Sequence, residues 1–165
     1  MLLEEFNRLE PGDAVAALRP CVDVTRWCEA IVDGRPYDSI DALVTAAAHA
    51  ADPFAAAEIE SALSHHPRIG ERADGVSREA TMSRSEQAGV DPSDAEVQKA
   101  LREGNLAYEE RFGRVFLIRA AGRSADEILA SLQERLQNGD AAEERIVAEQ
   151  LREIALLRVR GIVTE

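Results

Sequence analysis

The sequence predicts an all-α fold: a single-domain helical bundle over residues 1–165, with one short extended segment. Three observations lead there. From residue 40 onward, apolar residues recur at i, i+3, i+4 and i+7, the spacing of one helix face. Ser or Asp stands just before several of these stretches, where its side-chain oxygen can accept the orphan N–H groups of a first helical turn. The one short apolar run outside this pattern has no second run to pair with, and one extended segment makes no sheet. A chain of 165 residues is long enough for one domain to bury about 70% of its unfolded surface. No repeat, low-complexity tract or linker divides it.

Taken in order, Ile40, Leu43, Val44 and Ala47 form a stripe that Asp38 or Ser39 is placed to cap. Asp52-Pro53 gives a capping acid and a proline at the first helical position, for a helix carrying Phe54, Ile59, Ala62 and Leu63 that Pro67 stops. Ser77 caps a helix through Thr81, Ser83, Glu86 and Gln87, closed by Gly89. Asp91-Pro92-Ser93-Asp94 opens a longer one bearing Val97, Leu101 and Tyr108. Ser124-Ala125-Asp126-Glu127 is a capping box ahead of Ile128, Leu129, Leu132 and Leu136, and Asn138-Gly139 ends that helix. The last helix carries Ile146, Val147, Gln150, Leu151, Ile154, Leu157 and Arg158. Between Gly113 and Gly122 lies Val115-Phe116-Leu117-Ile118, the extended candidate.

Composition excludes several function classes. With 31 acidic against 19 basic side chains, the net charge is −12. Sequence-independent nucleic-acid binding needs the opposite sign, and no basic stripe is present. Anionic small molecules remain open, because a pocket's local field can oppose the overall charge. No apolar run is long enough to span a membrane, and Met1-Leu2-Leu3-Glu4-Glu5 does not begin like a secretory signal. Cys21 and Cys28 could share one helix face, too far apart for an easy disulfide. Two buried, reduced thiols and a cytoplasmic setting are the expectation.

Three clusters could carry chemistry. His65-His66-Pro67-Arg68-Ile69-Gly70 falls where a helix must end, and Pro67 pushes His66 out of helical geometry. An imidazole there is either a general acid or base near neutral pH, or a solvated or capping histidine. Ser83 and Glu86, three apart on a helix, face one side and either contact one ligand or form a solvated face. Arg158 emerges from an apolar last turn, suited to planar recognition of a carboxylate or amide, or to complementing a helix C-terminus. Arg160 beside it reads as solvated. His49, His65 and His66 lack metal-ligand spacing, so no metal is expected. No phosphate-binding glycine loop is present.

In this order the clusters resemble the OHCU decarboxylase family, whose members decarboxylate 2-oxo-4-hydroxy-4-carboxy-5-ureidoimidazoline in uric acid breakdown. The resemblance runs through Phe6-Asn7-Arg8-Leu9, Cys21 to Trp27, Arg35-Pro36-Tyr37, and His66-Pro67-Arg68-Ile69-Gly70. It continues through Ser83-x-x-Glu86-Gln87-Ala88-Gly89, Asn105-x-x-Tyr108 with Phe112-Gly113 and Phe116-Leu117-Ile118, and Leu157-Arg158-Val159. Two departures occur: Val22-Asp23 stands where the family usually has Gly-Ser, and Arg119 where it often has cysteine.

The resemblance implies a cofactor-independent carboxy-lyase, working as a homodimer and releasing CO2 and (S)-allantoin. The substrate's own conjugated ring takes up the electron pair left by CO2, so no organic cofactor is needed. By the same resemblance His66 and Glu86 are catalytic, and Pro67, Ser83, Gln87, Ile118 and Arg158 bind substrate. Two other readings stand beside it: a non-catalytic small-molecule-binding or protein-interaction module on the same fold, and an acidic helical adaptor with an exposed apolar groove.

Overall fold

The computed structural model describes residues 1–64, 66–71 and 77–165, and over these every regular element is a helix. The elements are α1 (Leu3–Arg8), α2 (Pro11–Leu18), α3 (Thr25–Asp33), α4 (Ile40–His49), α5 (Ala56–Leu63), α6 (Arg78–Glu86), α7 (Ala95–Phe112), α8 (Ala125–Arg135) and α9 (Asp140–Ile162). No strand occurs among the described residues beyond an isolated bridge between Leu2 and Thr164. The all-α class is therefore observed. The run around Val115–Ile118 is neither helix nor strand.

Most predicted helix starts are in place, and their caps explain them. Ser39 accepts the Ala42 N–H at 3.1 Å, and Ser77 the Ala80 N–H at 3.1 Å. Asp94 accepts both Glu96 and Val97 N–H at 3.1 Å. At α8 the capping box closes, with Glu127 N–H on Ser124 Oγ at 3.2 Å and Ser124 N–H on Glu127 Oε2 at 2.7 Å.

Two expectations are corrected. Asp52 does not cap α5, because its carboxylate takes Arg152 Nη2 at 3.2 Å. Instead Glu58 reaches back to the Ala55 N–H at 2.7 Å, and the helix begins at Ala56, beyond Phe54. Cys21 and Cys28 do not share a helix: Cys28 lies in α3 and Cys21 in the turn ahead of it. Both are free and buried, as expected, and burial pushes the Cys28 thiol up to about 11.

Contacts divide the chain into two compact units, Met1–Ala62 with Leu151–Glu165, and Leu63–Gln150. The first is centred on Phe6, Leu18, Trp27, Ile31 and Leu43, all fully buried. Polar side chains stitch its short helices together. Arg35 Nη1 donates to the Phe6 and Leu9 carbonyls, each at 2.8 Å. Asn7 exchanges two hydrogen bonds with the Tyr37 backbone, and the Trp27 indole N–H reaches Ala47 O at 2.9 Å. These contacts account for the pairing of the Phe6-Asn7 and Arg35-Pro36-Tyr37 blocks.

The second unit packs Ile69, Val90, Leu101, Tyr108, Phe116, Ile118, Ala120, Ile128 and Leu132 into one cluster. Gly104 lets α7 approach α8: a Cβ there would lie 2.6 Å from Leu132 Cδ2. Phe116 meets the Tyr108 ring edge-on at 5.2 Å, which draws the irregular segment onto α7.

Candidate active site

The His66 loop is built in the second unit from three independent tethers. Its backbone begins with His66 N–H on the Leu63 carbonyl at 3.0 Å, after which Pro67 admits no further helical turn. Asn105 of α7 donates from Nδ2 to Ile69 O at 2.9 Å. Gln87, at the C-terminal end of α6, accepts the Gly70 N–H through Oε1 at 2.9 Å. Arg68 lays its guanidinium on the Glu109 carboxylate, Nε to Oε1 at 2.5 Å and Nη2 to Oε2 at 2.8 Å. Hydrogen bonding to Arg68 holds the Glu109 carboxyl below the usual range, and the same contact raises the Arg68 guanidinium. Gly70 adopts φ +88, and a Cβ there would meet Leu101 Cδ1 at 3.0 Å, so this turn requires glycine.

His66 and Pro67 line a cavity of about 530 Å³ with Arg68, Glu71, Glu109 and Arg114 on its wall. Both charge signs are thus present around one imidazole, a setting able to hold a polar, anionic molecule and exchange a proton with it. Gln87 lines a second cavity of about 350 Å³, together with Gly70, Arg84 and Gln98. Its carbonyl oxygen accepts the Gly70 N–H. Ser83 is buried in α6, and Glu86 is the half-buried last residue of the same helix. Ile118 is buried, with its side chain in the core cluster.

Arg158 belongs to the first unit, where it is buried on α9 and donates from Nη1 to Pro20 O at 3.2 Å. Its planar fork is thus already anchored at one end to a backbone carbonyl. Arg160 is exposed, as expected, and also pairs with Asp41 at 2.9 Å. His65 lies outside the described residues. Among those described, no group of three or more His, Cys, Asp or Glu side chains is arranged to hold a metal.

One constellation has no counterpart in the sequence reading. Arg135 and Glu143 form an ion pair whose side chains are 5% and 1% exposed. Glu143 Oε1 accepts from Arg135 Nη2 at 2.6 Å, from Arg135 Nε at 2.8 Å and from the Tyr108 hydroxyl at 2.5 Å. Asn138 Nδ2 supplies Oε2 at 3.0 Å. Arg135 also stacks over the Phe116 ring at 4.6 Å and donates from Nη1 to Leu117 O at 2.6 Å. Burial, with the bond to Glu143, keeps the Tyr108 hydroxyl protonated well above its ordinary range.

A sequence signal existed. Arg135 continues the Ile128 and Leu132 stripe of α8, and Glu143 the Val147, Leu151 and Ile154 stripe of α9. Opposite charges on two successive apolar stripes point to a buried pair.

The family model for OHCU decarboxylase matches residues 7–160. The chain belongs to the OHCU decarboxylase family. It is accordingly a carboxy-lyase. Among family members, the 2-oxo-4-hydroxy-4-carboxy-5-ureidoimidazoline decarboxylase of Amia calva is 32% identical, over 97% of this chain and 89% of that one. The enzyme of the same name from Haloferax volcanii is 27% identical over 96% and 94%. A crystal structure of OHCU decarboxylase in the presence of (S)-allantoin superposes with a TM-score of 0.68 at 26% identity, covering 86% of this chain and 93% of that one. The adaptor reading predicts a sizeable exposed apolar groove. Among the described residues the exposed large hydrophobics are Met1, Leu2, Leu106 and Leu157, and no helix carries more than one of them.

Proposed function

We propose that this chain converts 2-oxo-4-hydroxy-4-carboxy-5-ureidoimidazoline to (S)-allantoin and CO2, with His66 as the proton-transfer residue. The observation that carries the assignment of His66 is its tethered loop: a titratable ring on a cavity wall, with its backbone held to two helices. In the reaction the C–CO2 bond breaks and its electron pair enters the conjugated ring. The C4 hydroxyl becomes a carbonyl, and one proton is taken up overall, delivered to one face of the ring. The protein's work is orientation, proton transfer and charge stabilisation.

Roles follow from residue chemistry and from the family resemblance. Glu86 accepts hydrogen bonds from ureido or ring N–H groups. Ser83 and the Gln87 amide add polar contacts, and Pro67 shapes the wall beside His66. Ile118 contributes backbone groups to the planar ligand, and Arg158 holds an oxygen-rich edge of the substrate. The family resemblance also supports one functional domain over 1–165 and a homodimer, which light scattering reads directly. Two buried, reduced cysteines support a cytoplasmic setting.

The test couples the protein to urate oxidase and hydroxyisourate hydrolase and follows circular dichroism as urate is consumed, with and without EDTA. Wild type is expected to give rapid, EDTA-insensitive (S)-allantoin. His66→Ala is expected to lose on the order of 10²–10⁴-fold in kcat. An alanine variant with full activity removes His66 from the chemistry. Decay no faster than the spontaneous, racemic reaction removes the decarboxylase assignment itself.

A further inference from the structure

We propose that Arg135 and Gln150 are positioning residues that aim the backbone N–H and C=O of Ile118 at the substrate. The inference rests on the decarboxylase reading above, in which Ile118 binds through its backbone. The peptide units on either side of Ile118 are trans, so within each unit the C=O and N–H point in opposite directions. Arg135 Nη1 holds Leu117 O at 2.6 Å, and the same rigid unit carries the Ile118 N–H. Gln150 Oε1 accepts the Arg119 N–H at 2.9 Å, and that unit carries the Ile118 C=O. Each side chain therefore fixes one peptide plane and turns the remaining polar group of that plane away from its tether.

That remaining pair is where a ligand is needed. Ile118 is 3% exposed, and among the described residues neither its N–H nor its C=O has a hydrogen-bond partner. Buried backbone groups in folded proteins are nearly always paired, so two adjacent unpaired ones mark a place where another molecule completes the pairing. The Ile118 side chain is locked in the core cluster, leaving the backbone as the part able to meet substrate.

The tethers are also stiff. Arg135 is fixed by two bonds to Glu143 Oε1 and by the Phe116 ring, and from that fixed plane Nη1 donates to Leu117 O. The bond is charge-assisted, which makes it shorter and stronger than a neutral one.

Gln150 offers the cleaner test because it is only half-buried and carries no charge. Gln150→Met removes the acceptor at similar length, whereas Gln150→Glu keeps an oxygen for the Arg119 N–H. Wild type and both variants enter the coupled assay, with thermal unfolding recorded alongside. In Gln150→Met, kcat/KM is expected to fall on the order of 10–100-fold, the scale of a misplaced contact. Gln150→Glu is expected to restore most of it. The melting temperature and the shape of the pH profile set by His66 should stay as in wild type, and Arg135→Lys should lower kcat/KM in the same direction. Unchanged kcat/KM in Gln150→Met beside an active wild type overturns the positioning role alone, and so does an equal loss in Gln150→Glu. A wild type without turnover overturns the role together with the reading beneath it.

Discussion

Glu143 carries its charge in the core, and its surroundings account for how that is possible. Arg135, the Tyr108 hydroxyl and Asn138 all donate to its carboxylate. Removing one member is therefore costly in proportion to what is left unpaired. Glu143→Leu strands the Arg135 guanidinium and is expected to destabilise the fold by about 3–5 kcal/mol. Tyr108→Phe deletes one donor to a charged acceptor, with an expected cost of about 1.5–3 kcal/mol. Urea denaturation checks both, and the two losses should not add, because the residues share one oxygen. By contrast the Arg68–Glu109 pair is part-exposed, with the arginine side chain 42% accessible. Solvent screens such a pair and leaves it little to add to stability, so its value lies in where it holds the His66 loop. At this scale His66 was legible because Pro67 follows it directly. The tethering roles of Asn105, Glu109 and Gln150 were not, since each acts on backbone or side chains far away in sequence. Arg135 and Glu143 were hidden by their charge, which suggests solvent until the apolar stripes they continue are counted.

Helix starts were legible where a Ser or Asp at the N-cap itself does the capping. Ser39, Ser77, Asp94 and Ser124 each accept an N–H two or three residues ahead, an arrangement a single sequence displays. The helices before residue 34 went unread for the complementary reason. Leu2, Glu10 and Val24 precede α1, α2 and α3, and none of these side chains caps its helix. Asp52 misled because Arg152, a hundred residues on, claims its carboxylate. Removing a working cap tests the point. Ser124→Ala should lower stability by about 1 kcal/mol through α8. Asp94→Ala, which strips two N–H groups at the start of α7, should cost up to about 2 kcal/mol. Thermal unfolding followed by circular dichroism measures both.

Across the whole molecule, protonation sets the stable pH range. The Cys28 thiol, pushed up to about 11 by burial, and the Tyr108 hydroxyl, also raised, hold their protons more tightly folded than unfolded. Their contribution is full below the unfolded thiol value of about 8.5 and is lost as pH rises through 11 and beyond. The carboxyls of Glu58 and Glu109, lowered by hydrogen bonds from Arg26 and Arg68, work the other way. Theirs is present above the unfolded value of about 4.3 and disappears as pH falls below it. Urea midpoints from acid to alkaline pH should therefore decline at both ends. Cys28→Ala should flatten the alkaline limb between about 8.5 and 11.

The chain's one tryptophan has an optical consequence. Trp27 is fully buried in the first unit, with its indole N–H on a backbone carbonyl. Light emitted by so dry an indole is blue-shifted, and it moves to the red when water reaches the ring. The second unit contains no tryptophan, while its helices α6, α7 and α8 add to the far-ultraviolet signal as those of the first unit do. Fluorescence colour thus reports on one unit by itself, and it needs no label to do so.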